Sequence, residues 1–178
     1  MKKIALIGSG GSGKSTLARK LGELTKLNVY HLDALHFQPG WVPMPNDQWE
    51  HLQKQLIQEQ EWIIDGNYGR TIDIRLNEAD VIIFFDLPRR ITTYRVIKRR
   101  IMYHGKTRPD LKEGCPERLD WPFVKWVWNY RATKRPAIMK KLHTLSAAKI
   151  VFVIKSNADI KRLLEQIQNG ESLQSNLS

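Results

Sequence analysis

Apolar residues occur along the chain in two arrangements, as short continuous runs and at the three- and four-residue spacing of helices. The continuous runs predict five buried strands, at 3–7, 28–32, 62–65, 81–86 and 149–154. Helical spacing predicts helices at 14–26, 47–60, 88–103, 121–145 and 157–169, with Pro136 kinking or splitting the fourth. Strands that alternate with helices are typical of an α/β fold whose parallel sheet is covered on both faces. We therefore expect a ligand site where the carboxyl ends of the strands meet.

The composition is that of one globular domain. The chain has 178 residues, 42% of them hydrophobic and 26% charged, and no apolar run approaches the roughly 18 residues of a membrane span. The amino terminus lacks the apolar core of a signal peptide, and the single cysteine, Cys115, excludes an internal disulfide. We expect a single domain over 1–168, a polar and disordered tail over 169–178, and a cytoplasmic protein that does not bind membranes.

The first predicted strand and helix are joined by a motif with specific chemistry. The pattern G-x-x-x-x-G-K-[ST] of nucleotide-binding P-loops is matched by Gly8-Ser9-Gly10-Gly11-Ser12-Gly13-Lys14-Ser15. Glycines let the backbone curl, so that successive N–H groups and the helix N-terminus can point at a phosphate. We expect Lys14 to reach the β- and γ-phosphates of ATP and Ser15 to ligate Mg²⁺. The candidate cofactor-binding residues are Gly8, Ser9, Gly10, Gly11, Ser12, Gly13, Lys14, Ser15 and Thr16.

This motif in this context predicts the P-loop NTPase fold. That fold is a three-layer α/β/α sandwich, here with a five-stranded parallel sheet in the order 2-3-1-4-5 and a helical lid. After the third strand the chain also resembles the adenylate-kinase-like nucleotide kinases, which carry a D-G-F-P-R-T segment there. This chain has Asp65-Gly66-Asn67-Tyr68-Gly69-Arg70-Thr71, with one residue more and no proline. The resemblance implies that Asp65 is a Walker-B-like carboxylate beside Mg²⁺ and that Arg70 holds a substrate phosphate. For Asp65 the alternative is a turn-forming aspartate, which an Asp-Gly pair also favours.

Two arginine pairs flank a predicted lid around 104–120, a stretch that is interrupted by glycine and proline. Arg95 and Arg99 lie one helical turn apart, and Arg131 and Arg135 repeat that spacing. Nucleotide kinases carry such pairs at the lid entrance and on its return, so the resemblance implies that these four arginines neutralise transferring phosphoryl oxygens. The alternative for each of them is a solvated basic helix face.

Asp33 closes the second predicted strand, where small-molecule kinases of this superfamily commonly keep a carboxylate that faces the acceptor. A carboxylate there could orient or deprotonate an acceptor hydroxyl, and the alternative is a loop aspartate without a role. The catalytic candidates are Lys14, Asp33, Arg95, Arg99, Arg131 and Arg135. The substrate-binding candidates are Asp33 and Arg70, and the metal-binding candidates are Ser15 and Asp65.

The net charge of +11 is concentrated in one segment. Residues 89–141 contain sixteen Lys and Arg against four Asp and Glu, whereas the remainder of the chain is nearly balanced. Such a segment also fits the phosphate backbone of a nucleic acid, although no helix-turn-helix, zinc-finger or RNA-recognition signature is present. Two hypotheses follow, a kinase that transfers the γ-phosphoryl group of ATP to a small acceptor, and a nucleotide-gated DNA-binding regulator or ATPase.

The chain resembles one narrower group, the bacterial DNA topology modulation (FlaR-like) proteins. The resemblance is carried by the residues 33–41, by Asp65-Gly66-Asn67-Tyr68, and by Thr107-Arg108-Pro109-Asp110 with Gly114-Cys115-Pro116-Glu117. The group's name implies an effect on DNA supercoiling, while its motifs are those of P-loop kinases. The resemblance therefore supports the fold more strongly than it supports a reaction.

Overall fold

The computed structural model describes residues 2–108, 110–117 and 120–177. The strands are β1 (Lys3–Gly8), β2 (Val29–His31), β3 (Phe37–Gln38), β4 (Val42–Pro43), β5 (Trp62–Asp65), β6 (Val81–Phe85) and β7 (Ile150–Ile154). The helices are α1 (Lys14–Thr25), α2 (Leu32–His36), α3 (Asn46–Leu56), α4 (Ile72–Glu78), α5 (Arg89–Met102), α6 (Trp121–Thr133), α7 (Arg135–Leu145) and α8 (Asn157–Gln168).

Five strands form a parallel sheet in the order β2-β5-β1-β6-β7. Counted over these five strands alone, the order is 2-3-1-4-5, which confirms the predicted topology. The register aligns the carboxyl ends, because Leu6 pairs with Asp65 on one side of β1 and Gly8 pairs with Phe85 on the other. The P-loop, Asp65 and Asp86 therefore leave the sheet along one edge.

Helices cover both faces of the sheet and give the predicted three-layer sandwich. On one face α1 and α8 pack through Leu17, Leu21 and Leu163, all of which are buried. On the opposite face the core includes Trp62 and Leu142, together with residues from α3, α4 and α6. All four central side chains of β1, 4–7, are fully buried, as expected of a strand covered on both sides.

The predicted long helix over 121–145 is divided into α6 and α7 at Lys134. Pro136 occupies the first turn of α7, where its missing N–H costs no intrahelical hydrogen bond. This confirms the predicted interruption.

The region after the second strand differs from the prediction. We expected the strand to run to residue 32 with Asp33 closing it, but β2 ends at His31 and Asp33 lies inside the short helix α2. The segment after α2 forms the two-stranded hairpin β3–β4, whose strands are too short to produce an alternating pattern in the sequence. Helix α2 and the hairpin together place Asp33, Phe37 and Trp41 along one wall of the cleft described below.

The described part of the lid segment packs on this hairpin. The N–H of Gly40 donates to the carbonyl of Gly114 at 2.8 Å, and Nε1 of Trp41 donates to the carbonyl of Pro116 at 2.9 Å. Lys112 Nζ adds a hydrogen bond to Gln38 Oε1 at 2.7 Å. The predicted lid residues Pro109, Arg118 and Leu119 lie outside the described residues.

Two residues of the polar tail hydrogen bond to β7, where the sequence favours disorder. Ser175 Oγ accepts from the N–H of Val151, and Asn176 exchanges hydrogen bonds with the main chain of Val151 and Val153. Ser178 lies outside the described residues. In the part of the chain that is described, no helix is both long and apolar enough to cross a membrane.

Candidate active site

A cleft of about 550 Å³ opens at the carboxyl edge of the sheet. Its floor is the P-loop with the start of α1, and one wall carries Asp33, Asp65 and Tyr68. The opposite wall carries arginines from α5 and from the lid segment. A site at this edge is what the topology of an open parallel sheet favours.

The conformation of the P-loop is determined by its glycines and by the helices that pack on it. Gly13 adopts a left-handed backbone (φ 98°) immediately before α1, a conformation that side chains disfavour. Gly10 faces Phe123 and Val127 of α6 so closely that a Cβ atom would stand 2.5 Å from Cζ of Phe123. The loop is therefore fixed between α1 and the helices that flank the lid.

Lys14 points across this loop, and its Nζ donates to the carbonyl of Ser9 at 2.8 Å and to Ser12 Oγ at 3.4 Å. Desolvation lowers the pKa of the Lys14 ammonium, and the nearby carboxylates of Asp65 and Asp33 partly offset this effect. The two carboxylates and the lysine thus share one electrostatic environment. Ser15 and Thr16 also line the cleft.

Asp65 is a buried carboxylate, with 4% of its side chain exposed, and only one of its oxygens has a partner among the described residues. Oδ2 lies 3.0 Å from Nδ1 of His31, while Oδ1 is buried without a hydrogen bond. An unpartnered carboxylate oxygen beside a P-loop fits a hard divalent cation such as Mg²⁺, which takes oxygen ligands from protein and phosphate. Within the described residues, no cluster of three or more His, Cys, Asp and Glu could hold a metal by itself. A cation here would therefore share its ligands between Asp65, Ser15 and a bound nucleotide.

Asp33 accepts a hydrogen bond from the hydroxyl of Tyr68 at 2.8 Å. Burial and the adjacent Asp33 carboxylate raise the pKa of Tyr68 well above its ordinary value, so the phenol stays protonated and donates. The imidazole of His36 packs against the rings of Trp49 and Tyr68, with centroids 4.6 and 4.9 Å away. Desolvation in this aromatic cluster lowers the pKa of His36, although Asp33 acts in the opposite direction.

The loop that carries Asp65 and Tyr68 is held from below by Arg75, which is fully buried in α4. Its guanidinium donates to Gln53 Oε1, to the carbonyl and hydroxyl of Thr71 at 3.2 Å, and to the carbonyl of Gly66 at 3.4 Å. Desolvation lowers the pKa of Arg75 to about 10, which still leaves it charged near neutrality. These bonds connect α3 and α4 to the segment that positions the carboxylates.

The structure brings Arg95 and Arg99 to the cleft, where sequence analysis expects them. Nη1 of Arg95 donates to the carbonyl of Ser12 at 3.3 Å, which connects α5 to the P-loop. Nε of Arg99 donates to Glu117 Oε1 at 3.1 Å. Burial lowers the pKa of Arg99, and neighbouring Arg108 adds to this effect.

The second arginine pair lies elsewhere, because neither Arg131 nor Arg135 is among the residues that line the cleft. Both pair with Asp86, the buried residue after β6, at 3.6 Å from Nε of Arg131 and 2.8 Å from Nε of Arg135. A buried carboxylate needs a cationic partner, and this demand turns both side chains away from the expected substrate position.

Arg70 also departs from its expected place. Its side chain is exposed, it does not line the cleft, and it lies near Glu50 of α3 instead. In this segment Asn67 and Tyr68 line the cleft, whereas the 3₁₀ turn at Gly69–Thr71 carries Arg70 outward. The extra residue and the missing proline in this segment are the sequence features that separate it from the pattern of the nucleotide kinases.

The cleft lining includes polar residues that were not among the sequence candidates, such as Tyr68, Arg108, Asp110 and Glu117. The last three belong to the lid segment, which mixes charges of both signs between 106 and 120. That mixture could have indicated internal ion pairs. Nothing in the sequence shows which lid charges face inward.

No protein-family model matches this chain, and no curated protein matches it. Among solved structures, it is similar to the crystal structure of a gluconokinase from Sinorhizobium meliloti 1021. The two chains are 15% identical, with a TM-score of 0.47, and the alignment covers 96% of this chain and 98% of that one. This similarity assigns no role to any residue, and the resemblance to the topology modulation group stays a prediction.

Proposed function

We propose that this protein transfers the γ-phosphoryl group of ATP to a hydroxyl group of a small acceptor, with Mg²⁺ as the cofactor. The observation that carries the proposal is the cleft itself. A P-loop lysine, the carboxylates of Asp65 at the end of β5 and of Asp33 in α2, and two arginines of α5 converge on about 550 Å³ at the edge of the sheet. Phosphoryl transfer needs mainly the positioning of its reactants and the neutralisation of phosphoryl oxygens, and these groups supply both.

Each group has a separate task in this proposal. The P-loop N–H groups and Lys14 hold the β- and γ-phosphates, while Ser15 and Asp65 would hold Mg²⁺, which would supply positive charge to neutralise phosphate oxygens. Asp33 accepts the proton of the acceptor hydroxyl, whose oxygen forms a bond to the γ-phosphorus. The bond between that phosphorus and the β–γ bridging oxygen breaks, and its electron pair leaves with ADP. Arg95 and Arg99 neutralise the charge that develops on the phosphoryl oxygens.

A second candidate is a DNA-binding ATPase, which the exposed basic residues of α5 and α6 favour. Arg89, Arg90, Lys98 and Lys125 are exposed, and such a surface fits a phosphate backbone. Against it, Arg95, Arg99 and Arg108 line the cleft, and Arg135 pairs with the buried carboxylate of Asp86. A nucleic-acid surface would leave such groups facing solvent, so the kinase has the stronger support.

The test is an ADP-release assay with ATP and Mg²⁺ against a panel of nucleosides, nucleoside monophosphates, sugars and sugar phosphates. Stimulation by one acceptor, abolished in Lys14→Ala and retained in Lys20→Ala, would support the kinase. Lys20 is a matched control because it is an exposed lysine of the same helix. Arg99→Ala is expected to lower kcat by at least tenfold, whereas the exposed neighbour Lys98→Ala leaves it unchanged. Stimulation by plasmid DNA alone, weakening steeply with salt, would refute the kinase proposal.

A further inference from the structure

Two of the arginines that line the cleft, Arg99 and Arg108, are already engaged by carboxylates. Glu117 lies between Arg99 and Arg108, with 3.1 Å from its Oε1 to Nε of Arg99 and 2.7 Å from its Oε2 to Nε of Arg108. Nη1 of Arg108 also lies 3.0 Å from Oδ2 of Asp110. Two cations and two anions therefore alternate in this part of the cleft.

These ion pairs are shielded from solvent. The exposed fraction of the side chain is 4% for Glu117 and 9% for Arg108. Salt and water screen buried pairs much less than exposed ones. Turning Arg108 toward a substrate phosphate would remove one of the two cations beside the buried Glu117 carboxylate, and separating a buried ion pair is costly.

The described residues that line the whole cleft are also balanced in charge. Lys14 and four arginines face five carboxylates, those of Asp33, Asp65, Asp110, Glu117 and Asp120. ATP with Mg²⁺ brings net negative charge of its own. The described lining thus contains no surplus of cations for a second phosphorylated molecule.

Aromatic side chains line the cleft as well. Phe37, Trp41 and Tyr68 lie on the side of Asp33, and Trp126 enters from α6. Such rings bind apolar or planar faces, whereas the Asp33 carboxylate, which already accepts from Tyr68, can accept a further hydrogen bond from a hydroxyl.

We propose that the acceptor is an uncharged alcohol with an apolar or planar face and no phosphate group, because Glu117 and Asp110 occupy Arg108, the lid-segment arginine that a second phosphate would need. Glu117 is the residue that determines this specificity. The inference rests on the proposed phosphotransfer site and specifies its substrate class. Nucleosides and neutral sugars share this chemistry, and the test separates them.

The test measures binding by calorimetry, with Mg²⁺ and a non-hydrolysable ATP analogue filling the P-loop. The probes are matched pairs, each nucleoside with its 5′-monophosphate and glucose with glucose 6-phosphate, together with inorganic phosphate. In the wild type we expect the unphosphorylated member of each pair to bind at least as tightly as the phosphorylated member. Whether the nucleosides or glucose bind then shows which of these two classes of alcohol the cleft accepts.

Glu117→Gln frees Arg99 and Arg108 while preserving the shape of the side chain, so inorganic phosphate should bind on the order of tenfold more tightly. Adding Arg108→Ala should reverse the gain, and Glu113→Gln, at an exposed carboxylate of the same segment, should produce none. The proposal is overturned if a wild-type monophosphate binds more than tenfold more tightly than its partner, or if Glu117→Gln leaves phosphate affinity unchanged.

The wild-type comparison needs no variant, so it decides the question even if Glu117→Gln fails to fold. Binding is also measured without turnover. If the protein binds these probes as expected but releases no ADP, the proposed phosphoryl transfer is wrong. The preference of the cleft for unphosphorylated alcohols would still hold.

Discussion

A methyl group at Gly11 should distort the P-loop and destabilise the protein. The contacts around Gly11 indicate how large the loss of stability is. Gly11 has a φ of +71°, and a Cβ atom there would overlap the carbonyl oxygen of Thr92 and stand 2.8 Å from Cγ2 of Val96. Both contacts belong to α5, and one of them is main chain, which cannot rotate away. Gly11→Ala therefore combines backbone strain with overpacking.

Two contributions determine the loss of stability in Gly11→Ala. A left-handed backbone costs a residue with a side chain about 1–2 kcal/mol, and overpacking against a fixed neighbour costs about 1–3 kcal/mol more. Gly170→Ala is the matched control, since Gly170 has a φ of +67° and nothing within 4 Å of its Cβ position. At about 2–4 °C per kcal/mol for a chain of this length, we expect Gly11→Ala to lower the Tm by about 4–20 °C and Gly170→Ala by about 2–8 °C.

The assay is thermal unfolding followed by circular dichroism, with calorimetric titration of a non-hydrolysable ATP analogue and Mg²⁺. We expect Gly11→Ala to bind the analogue at least tenfold more weakly, because relief of the overlap displaces the N–H groups that face the phosphates. Gly170→Ala should bind it as the wild type does. If Gly11→Ala were as stable as Gly170→Ala and bound the analogue normally, the loop would not be fixed by α5, and the reasoning would be wrong.

Three further predictions concern the groups around the cleft. Asp65→Asn should weaken nucleotide binding in the presence of Mg²⁺ by at least tenfold and change metal-free binding little, which titrations with and without EDTA would show. Arg75→Met should lower the free energy of unfolding by about 2–4 kcal/mol, measured in urea, because Gln53 Oε1 and the Thr71 hydroxyl lose their buried donor. Because the pKa of His36 is lower in the folded state, the unfolded chain binds more protons at acidic pH. Stability should then fall as pH drops below the ordinary His value near 6.5, and His36→Gln should flatten that fall in urea titrations; an equal slope in both proteins would contradict the assignment.

The sheet and the P-loop could be predicted from the sequence because their signals are local. The strands β1, β5, β6 and β7 are short and largely apolar runs, and the motif at 8–15 lies between one strand and one helix. The strand order follows from the fold that this motif indicates, and Pro136 marks the break between α6 and α7. No contact between distant residues has to be known for these inferences.

The partners of the arginines could not be predicted, because pairing is decided between distant segments. The i, i+4 spacing of Arg131 and Arg135 places them on one face of a helical stretch but does not indicate what that face meets. Asp86 becomes buried only when β6 joins the sheet, and it then attracts both guanidiniums. The sequence likewise contains Arg99, Arg108 and Glu117 without showing that one carboxylate serves both arginines.

The contacts that close the cleft differ in kind from those that hold its floor. The lid segment meets the β3–β4 hairpin through hydrogen bonds such as Gly40 to Gly114 and Lys112 to Gln38, at positions that are largely exposed. Each contributes only about 0.5–1.5 kcal/mol, because water can replace either partner. The Arg75 network beneath Asp65 is buried, and its polar atoms would have no such replacement. We therefore expect the lid and hairpin to separate for substrate entry while the carboxylates and P-loop keep their positions, an arrangement that lets one rigid floor serve a cleft that opens.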